Sequence, residues 1–162
     1  PGFTGIDIDA DNAQWCKDQL TFGDFRSTGL DPPTPFPDRR FDLIFGISVM
    51  THLAEPAQQL WLSEFHRISA PHAIVLLTTL GEHAAVRAGL APEVFAQVVA
   101  AGSAFYRTAN PIDDALGNTG YYGTMFMTHD EIRRKWSRWF SVDRIIPAYV
   151  GNHQDLVVLR RR

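Results

Sequence analysis

Apolar positions along this chain follow two periods that alternate. Phe3–Ile8 (FTGIDI), Phe41–Ile47 (FDLIFGI) and Ala73–Thr79 are short runs rich in aliphatic and aromatic residues, and they predict strands. The nearly unbroken run at Phe41–Ile47 predicts a strand buried on both faces. Helical spacing fills the intervals. Ala13, Cys16 and Leu20 predict a helix over Asp11–Leu20, opened by the acids and Asn12 after Ile8. A second helix has Pro56 in its first turn and Ala57, Leu60, Trp61, Phe65 and Ile68 on one face, and Pro71 ends it. Pro92–Ala101 predicts a third, with Gly102 as terminator. Thr128-x-x-Glu131 is a capping-box pattern that opens a fourth, with Ile132, Trp136 and Trp139 inward.

Thr21–Arg26 predicts a short strand, and Phe140–Tyr149 and Asp155–Arg161 predict two more around a turn at Gly151-Asn152. Pro32, Pro33, Pro35 and Pro37 exclude both helix and central strand from 31–40. Residues 103–127, rich in Gly, Asn, Asp, Tyr and Pro, predict a long loop with short helical pieces, part of an insertion over about 81–127. Strands alternating with helices imply an α/β domain with a Rossmann-like, mostly parallel sheet and helices on both faces. The last two strands are joined by only a few residues, which requires an antiparallel hairpin.

Length and charge narrow the function classes. The 162 residues suit one domain, and 45% apolar with 20% charged residues is the balance of a chain with a core. A net charge of −3 gives no basic excess for nucleic-acid binding. One Cys excludes a disulfide framework and a Cys-based zinc cluster. No apolar run is long enough to span a bilayer as a helix and no signal segment opens the chain, so the expected setting is the cytoplasm.

Candidate chemistry sits at predicted strand ends. Asp7 closes the first strand, where nucleoside-binding α/β folds place an acid that holds ribose hydroxyls; a loop acid or helix cap is the rival reading. Ile47–Leu53 follows the next buried strand and should line a site. Within it His52 is a candidate general base, or else a packed histidine at the strand–helix junction. The six His residues include no HExxH and no close pair with ligand spacing, so no metal is expected. Gly117–Gly123 does not join a strand to a helix and is no phosphate loop. Tyr121 and Tyr122 on it could cover a substrate, or the loop could be plain surface. Arg133, Arg134, Lys135 and Arg138 read as a solvated basic face.

Taken in order, these pieces resemble one family. Asp7 with its following helix, Gly29–Phe36 (GLDPPTPF), Phe41–Ile44 (FDLI), Ser48–Leu53 (SVMTHL), Trp61–Ile68 (WLSEFHRI) and Val75–Thr79 (VLLTT) are similar to class I S-adenosylmethionine-dependent methyltransferases of the bacterial small-molecule type. Gly151–Leu159 resembles the tail of one subgroup. The resemblance implies S-adenosylmethionine as cofactor and a small-molecule methyl acceptor. It implies Asp7 on the ribose, Ile8 against the adenine, Asp24 or Ser27 near the adenine amino group, and Ser48 near the methionine part. Two departures stand out. Pro71-His72-Ala73 replaces the usual Pro-Gly-Gly, which predicts a local shift without loss of the fold. The family's first strand and glycine-rich loop, which precede the Asp7 strand, have no counterpart, so the expectation is a single domain over 1–162 cut at its N-terminal side. Two alternatives stand beside methyl transfer: another nucleoside-cofactor enzyme such as a nicotinamide dehydrogenase, and a non-catalytic domain of the same fold.

Overall fold

The computed structural model describes residues 2–107 and 122–162. The chain separates into two units, Pro1–Pro35 and Phe36–Arg162.

The first unit is a βαβ element. β1 (Phe3–Asp7) and β2 (Gly23–Ser27) pair in parallel, with Asp7 opposite Ser27 at their carboxyl ends. The crossover is α1 (Ala10–Gln19), whose N-cap is Asp9: its Oδ1 accepts from the N–H groups of Asp11 at 2.9 Å and Asn12 at 3.2 Å. Two donors that the first helical turn leaves without partners are thereby satisfied. Phe3, Phe22 and Phe25 pack ring to ring at 5.3–5.9 Å. Gly5 makes room for them, since a Cβ there would lie 2.7 Å from the Phe25 ring.

The second unit holds a four-stranded sheet in the order β3-β4-β8-β7, formed by β3 (Phe41–Gly46), β4 (Ser69–Thr79), β7 (Ser141–Val150) and β8 (Gln154–Arg160). β3 and β4 are parallel, and β8 runs antiparallel to both β4 and β7, as the short final turn required. β3 and β4 are linked by α2 (Glu55–Ile68). The buried face of α2 is Gln58, Trp61, Leu62, Phe65 and Ile68, so Leu62 takes the core place expected for Leu60, which is exposed. Gln58 is tolerated inside because its Nε2 donates to the Met50 carbonyl at 2.8 Å.

Two expectations about strands need correction. β3 is not buried on both faces: Leu43 and Phe45, two residues apart and so on one face, are more than half exposed, and β3 is also the edge of this sheet, pairing only with β4 among the described residues. Residues 103–127 are not one loop. β5 (Ser103–Arg107) and β6 (Gly123–Met127) close that segment as an antiparallel pair. Ahead of them lie two helices, α3 (Glu82–Arg87) and α4 (Pro92–Ala101). Ala84, Ala85 and Val98 of these helices form a small core with Leu80 and Phe126.

The Pro71-His72-Ala73 departure has a visible backbone consequence. His72 adopts φ 65, in the left-handed region where glycine has no steric cost. The β3–β4 register shifts beside it, from Phe41 opposite Ser69 to Leu43 opposite Ile74. The strand thus begins directly after α2 and absorbs the turn as an irregularity.

α5 (His129–Trp136) follows β6 and is capped by Thr128, whose Oγ1 accepts from the Glu131 N–H at 3.3 Å. Only half of the capping box forms. The Glu131 carboxylate bonds instead with Arg134 and Lys135, at 2.6 and 2.7 Å, and those hydrogen bonds, Arg134 first, hold its carboxyl below the ordinary range. The Thr128 N–H donates to the Gly102 carbonyl. Thr128→Ala is expected to cost about 0.5–2 kcal/mol, the usual worth of such a cap, read as a lower midpoint of urea unfolding.

Candidate active site

Ligands of open α/β sheets bind at the carboxyl ends of the parallel strands. In the first unit those ends carry Asp7 and Ser27 as direct cross-strand neighbours. Asp7 Oδ1 accepts the Asp9 N–H at 2.9 Å, and its backbone carbonyl accepts the Thr28 N–H at 2.8 Å. The carboxylate is exposed and fixed by its own loop, with Oδ2 facing no donor among the described residues. That geometry suits a vicinal diol, which offers two hydroxyl donors to one carboxylate. Ile8 follows, half-buried.

Asp24 and Ser27 occupy different places on β2. Ser27 lies across from Asp7. Asp24 lies across from Thr4, three residues back along the strand, roughly 10 Å away at ~3.3 Å per residue. There it is ion-paired with Arg26. The sequence could not make this distinction, because it depends on where β2 begins and on its register against β1.

In the second unit the carboxyl end of β3 runs into Ser48. This residue has φ 60, a conformation that costs a non-glycine residue energy and is held here by two partners. Its N–H donates to Thr78 Oγ1 at 2.7 Å, and its Oγ accepts from Gln154 Nε2 at 2.7 Å. Thr78 is the next-to-last residue of β4 and Gln154 begins β8. Sequence reasoning missed both as site residues; the signal was that Thr78 sits in the Val75–Thr79 segment and Gln154 in the Gly151–Leu159 segment, both already singled out.

His52 and Tyr122 are brought together. The His52 ring stacks on Tyr122 with centroids 4.3 Å apart and planes 14° from parallel. Backbone bonds hold the two segments side by side: the Gly123 N–H donates to the His52 carbonyl at 3.2 Å, and Met125 N–H to Thr51 carbonyl at 2.8 Å. His52 Nδ1 lies 2.8 Å from the Gly123 carbonyl. A carbonyl only accepts, so Nδ1 carries the proton and the neutral ring keeps its lone pair on Nε2. Burial raises the Tyr122 phenol above its ordinary pKa, so it stays protonated as a neutral wall beside the imidazole. Tyr121 lies outside the described residues.

The basic face of α5 is partly engaged. Arg134 and Lys135 bond to Glu131, Lys135 also pairs with Glu55, and Arg138 lies over the Trp139 ring at 5.0 Å. Among the described residues no helix is long and apolar enough to cross a membrane.

This arrangement is a mixed α/β fold with parallel strands, an antiparallel end and polar side chains gathered at the carboxyl ends, and it is the fold of class I methyltransferases. Comparison with known structures agrees. A methyltransferase described as S-adenosylmethionine-dependent, from Methanosarcina mazei, aligns with TM-score 0.64 at 17% identity, over 98% of this chain and 81% of that one. One from Mesorhizobium loti gives 0.63 at 13% identity, over 99% and 80%. The 1,6-didemethyltoxoflavin-N1-methyltransferase of Burkholderia thailandensis, seen with 1,6-didemethyltoxoflavin and S-adenosylhomocysteine, gives 0.62 at 13%, over 98% and 60%. Residues 2–77, slightly less than half of the chain, match the family model described as a methyltransferase domain. The family match and the structural neighbours point the same way, to the methyltransferase fold. None of the curated proteins matches the sequence.

Proposed function

We propose that the protein transfers a methyl group from S-adenosylmethionine to a small-molecule acceptor in the cytoplasm. The observation that carries this reading is the methyltransferase-domain match over the residues that put Asp7 at the end of β1. The Burkholderia neighbour, with bound 1,6-didemethyltoxoflavin and S-adenosylhomocysteine, supports the same substrate and cofactor class.

The donors of each unit, taken by itself, suit a part of the cofactor. The Asp7 carboxylate accepts from the ribose hydroxyls, Ile8 packs on the adenine, and Ser27 offers a hydroxyl to its amino group. Ser48, fixed by Thr78 and Gln154, serves the methionine part. Asp24 is engaged by Arg26 and takes no role. The bound cofactor supplies a sulfonium-activated methyl whose leaving group is neutral. The protein's work is therefore mainly alignment of the nucleophile. His52 receives the acceptor's proton at Nε2 when the nucleophile is a hydroxyl or a protonated nitrogen. Tyr122, stacked on it, forms one wall of the acceptor space.

Calorimetric titration with S-adenosylhomocysteine tests the cofactor assignment. Asp7→Ala is expected to weaken binding by about 1–3 kcal/mol, the scale of hydrogen bonds to a charged group. Unchanged affinity would remove Asp7 from the ribose. Binding of NADH in place of the nucleoside thioether would favour the dehydrogenase alternative.

A further inference from the structure

On the core-facing side of the β4–β8 pair, residues stand in facing rows: Val75 with Leu159, Leu77 with Val157, and then Thr79 with Asp155. The first two rows are apolar and fully buried, yet the third row, equally buried, is polar. Asp155 is 0% exposed, and Thr79 is 2% exposed with a hydroxyl that has no hydrogen-bond partner among the described residues. A buried carboxylate is costly unless something compensates its charge.

Two more side chains converge there. His129 Nε2 lies 2.6 Å from Asp155 Oδ2 and 3.7 Å from Glu82 Oε2. Each carboxylate has its other oxygen anchored by a backbone donor: Asp155 Oδ1 by the Ala148 N–H at 2.8 Å, and Glu82 Oε1 by the His129 N–H at 3.3 Å. Both free oxygens therefore turn toward the same imidazole nitrogen. Ala148 adopts φ 52, at an irregularity in the β7–β8 pairing, to aim its N–H at Asp155. Gly81 completes the space, since a Cβ there would overlap Asp155 Oδ2. A strained residue and a required glycine thus both serve one carboxylate.

We propose that Glu82, His129 and Asp155 form a binding site for a divalent first-row transition ion of the Zn²⁺ type. One ligand atom from each residue lies within 4.8 Å of the others. An ion held at about 2.0–2.2 Å from nitrogen and oxygen ligands needs pair separations of roughly 3–4 Å. The His129–Asp155 pair, 2.6 Å apart, has to open by roughly 0.4–1.4 Å, and Glu82, whose side chain is 38% exposed, closes the remainder by rotamer adjustment. The ion displaces the proton that His129 Nε2 shares with Asp155 and releases it to solvent; two carboxylates with the neutral imidazole then carry the charge a divalent ion balances, and this mixed nitrogen–oxygen set suits such ions. The backbone-anchored oxygens fix the ligands from behind. The Thr79 hydroxyl, directly across from Asp155, can bond a water on the ion. The ion would tie α3, α5 and β8 together at the carboxyl end of β4. Spacing along the chain could not reveal this, because the ligands are 47 and 26 residues apart.

The test is independent of methyl transfer. Metal-free protein is titrated with Co²⁺, followed by its visible d–d absorption, and then with Zn²⁺ in competition. The expected result is saturation at one Co²⁺ per chain and displacement by Zn²⁺. Glu82→Gln, at a partly exposed position that leaves the core intact, should weaken binding by about tenfold or more. His129→Ala should abolish it, with folding checked by circular dichroism. His83→Ala, at an exposed histidine beside Glu82, should leave it unchanged. Absence of saturable Co²⁺ binding in the wild type would overturn the proposal. So would unaltered affinity in Glu82→Gln.

Discussion

His52→Gln is expected to lower turnover by about two to four orders of magnitude on an acceptor that must lose a proton, the range for a positioned general base. At ~1.36 kcal/mol per decade this is about 3–5 kcal/mol of barrier. The expectation rests on the 2.8 Å contact from Nδ1 to the Gly123 carbonyl, which leaves the lone pair on Nε2. Glutamine can still donate to that carbonyl and can still lie against Tyr122. The substitution therefore removes proton acceptance more than it removes packing. The measurement is kcat with whichever hydroxyl or amine acceptor gives turnover, alongside S-adenosylhomocysteine affinity. A drop in kcat with unchanged affinity supports the base role. An equal loss of both would make His52 a packing residue, as its stacking on Tyr122 also allows.

Trp136→Ala should cost about 3–5 kcal/mol of stability, the usual range for deleting a fully buried aromatic. Trp136 and its neighbour Phe140 are both 0% exposed. Trp136 anchors α5, and α5 carries His129 toward β8. Against a total stability of about 5–15 kcal/mol the loss is large, and it should appear as a lower urea midpoint at constant m. Trp136→Phe discriminates the cause. The Trp136 indole N–H is buried without a partner among the described residues, so phenylalanine removes an unsatisfied donor while refilling much of the volume. It should cost clearly less than alanine. Equal losses would mean that the indole's shape, not its apolar area, holds the helix.

Elements whose cause is local were legible in the sequence. The Asp9 cap, the Thr128 cap and the antiparallel last strand depend on a few adjacent residues or on a loop too short for any other path. Elements whose cause is distant were not. The β5–β6 pair hides in a segment whose composition suggests a loop, because the pairing joins residues across an intervening stretch. Leu62 rather than Leu60 enters the core because α2 rotates to meet β4, and local spacing allowed either. The Phe41–Ile47 run predicted double burial from apolarity alone, but burial of a strand depends on what lies beside it.

The candidate site divides the same way. Asp7, Ser48 and His52 could be picked out because each follows an apolar strand, and strand ends are where such folds bind ligands. That Ser27, and not Asp24, stands opposite Asp7 required the β1–β2 register. The proton position on His52 required the Gly123 carbonyl, 71 residues away in the chain. Thr78 and Gln154 became visible only when β4 and β8 paired beside Ser48.

By itself, then, the sequence determined the alternation of strands and helices, the hairpin at the end and the strand ends where chemistry gathers, all of which follow from periodicity and short-range geometry. Only the tertiary structure decided which oxygens and nitrogens face one another. Asp155 reads as an ordinary strand acid until β8 lies against β4. Folding then buries it opposite Thr79, beside His129 and under a glycine that leaves it room. Hydrogen bonds and ion pairs act over a few ångströms, and it is the packing of distant segments that sets those distances.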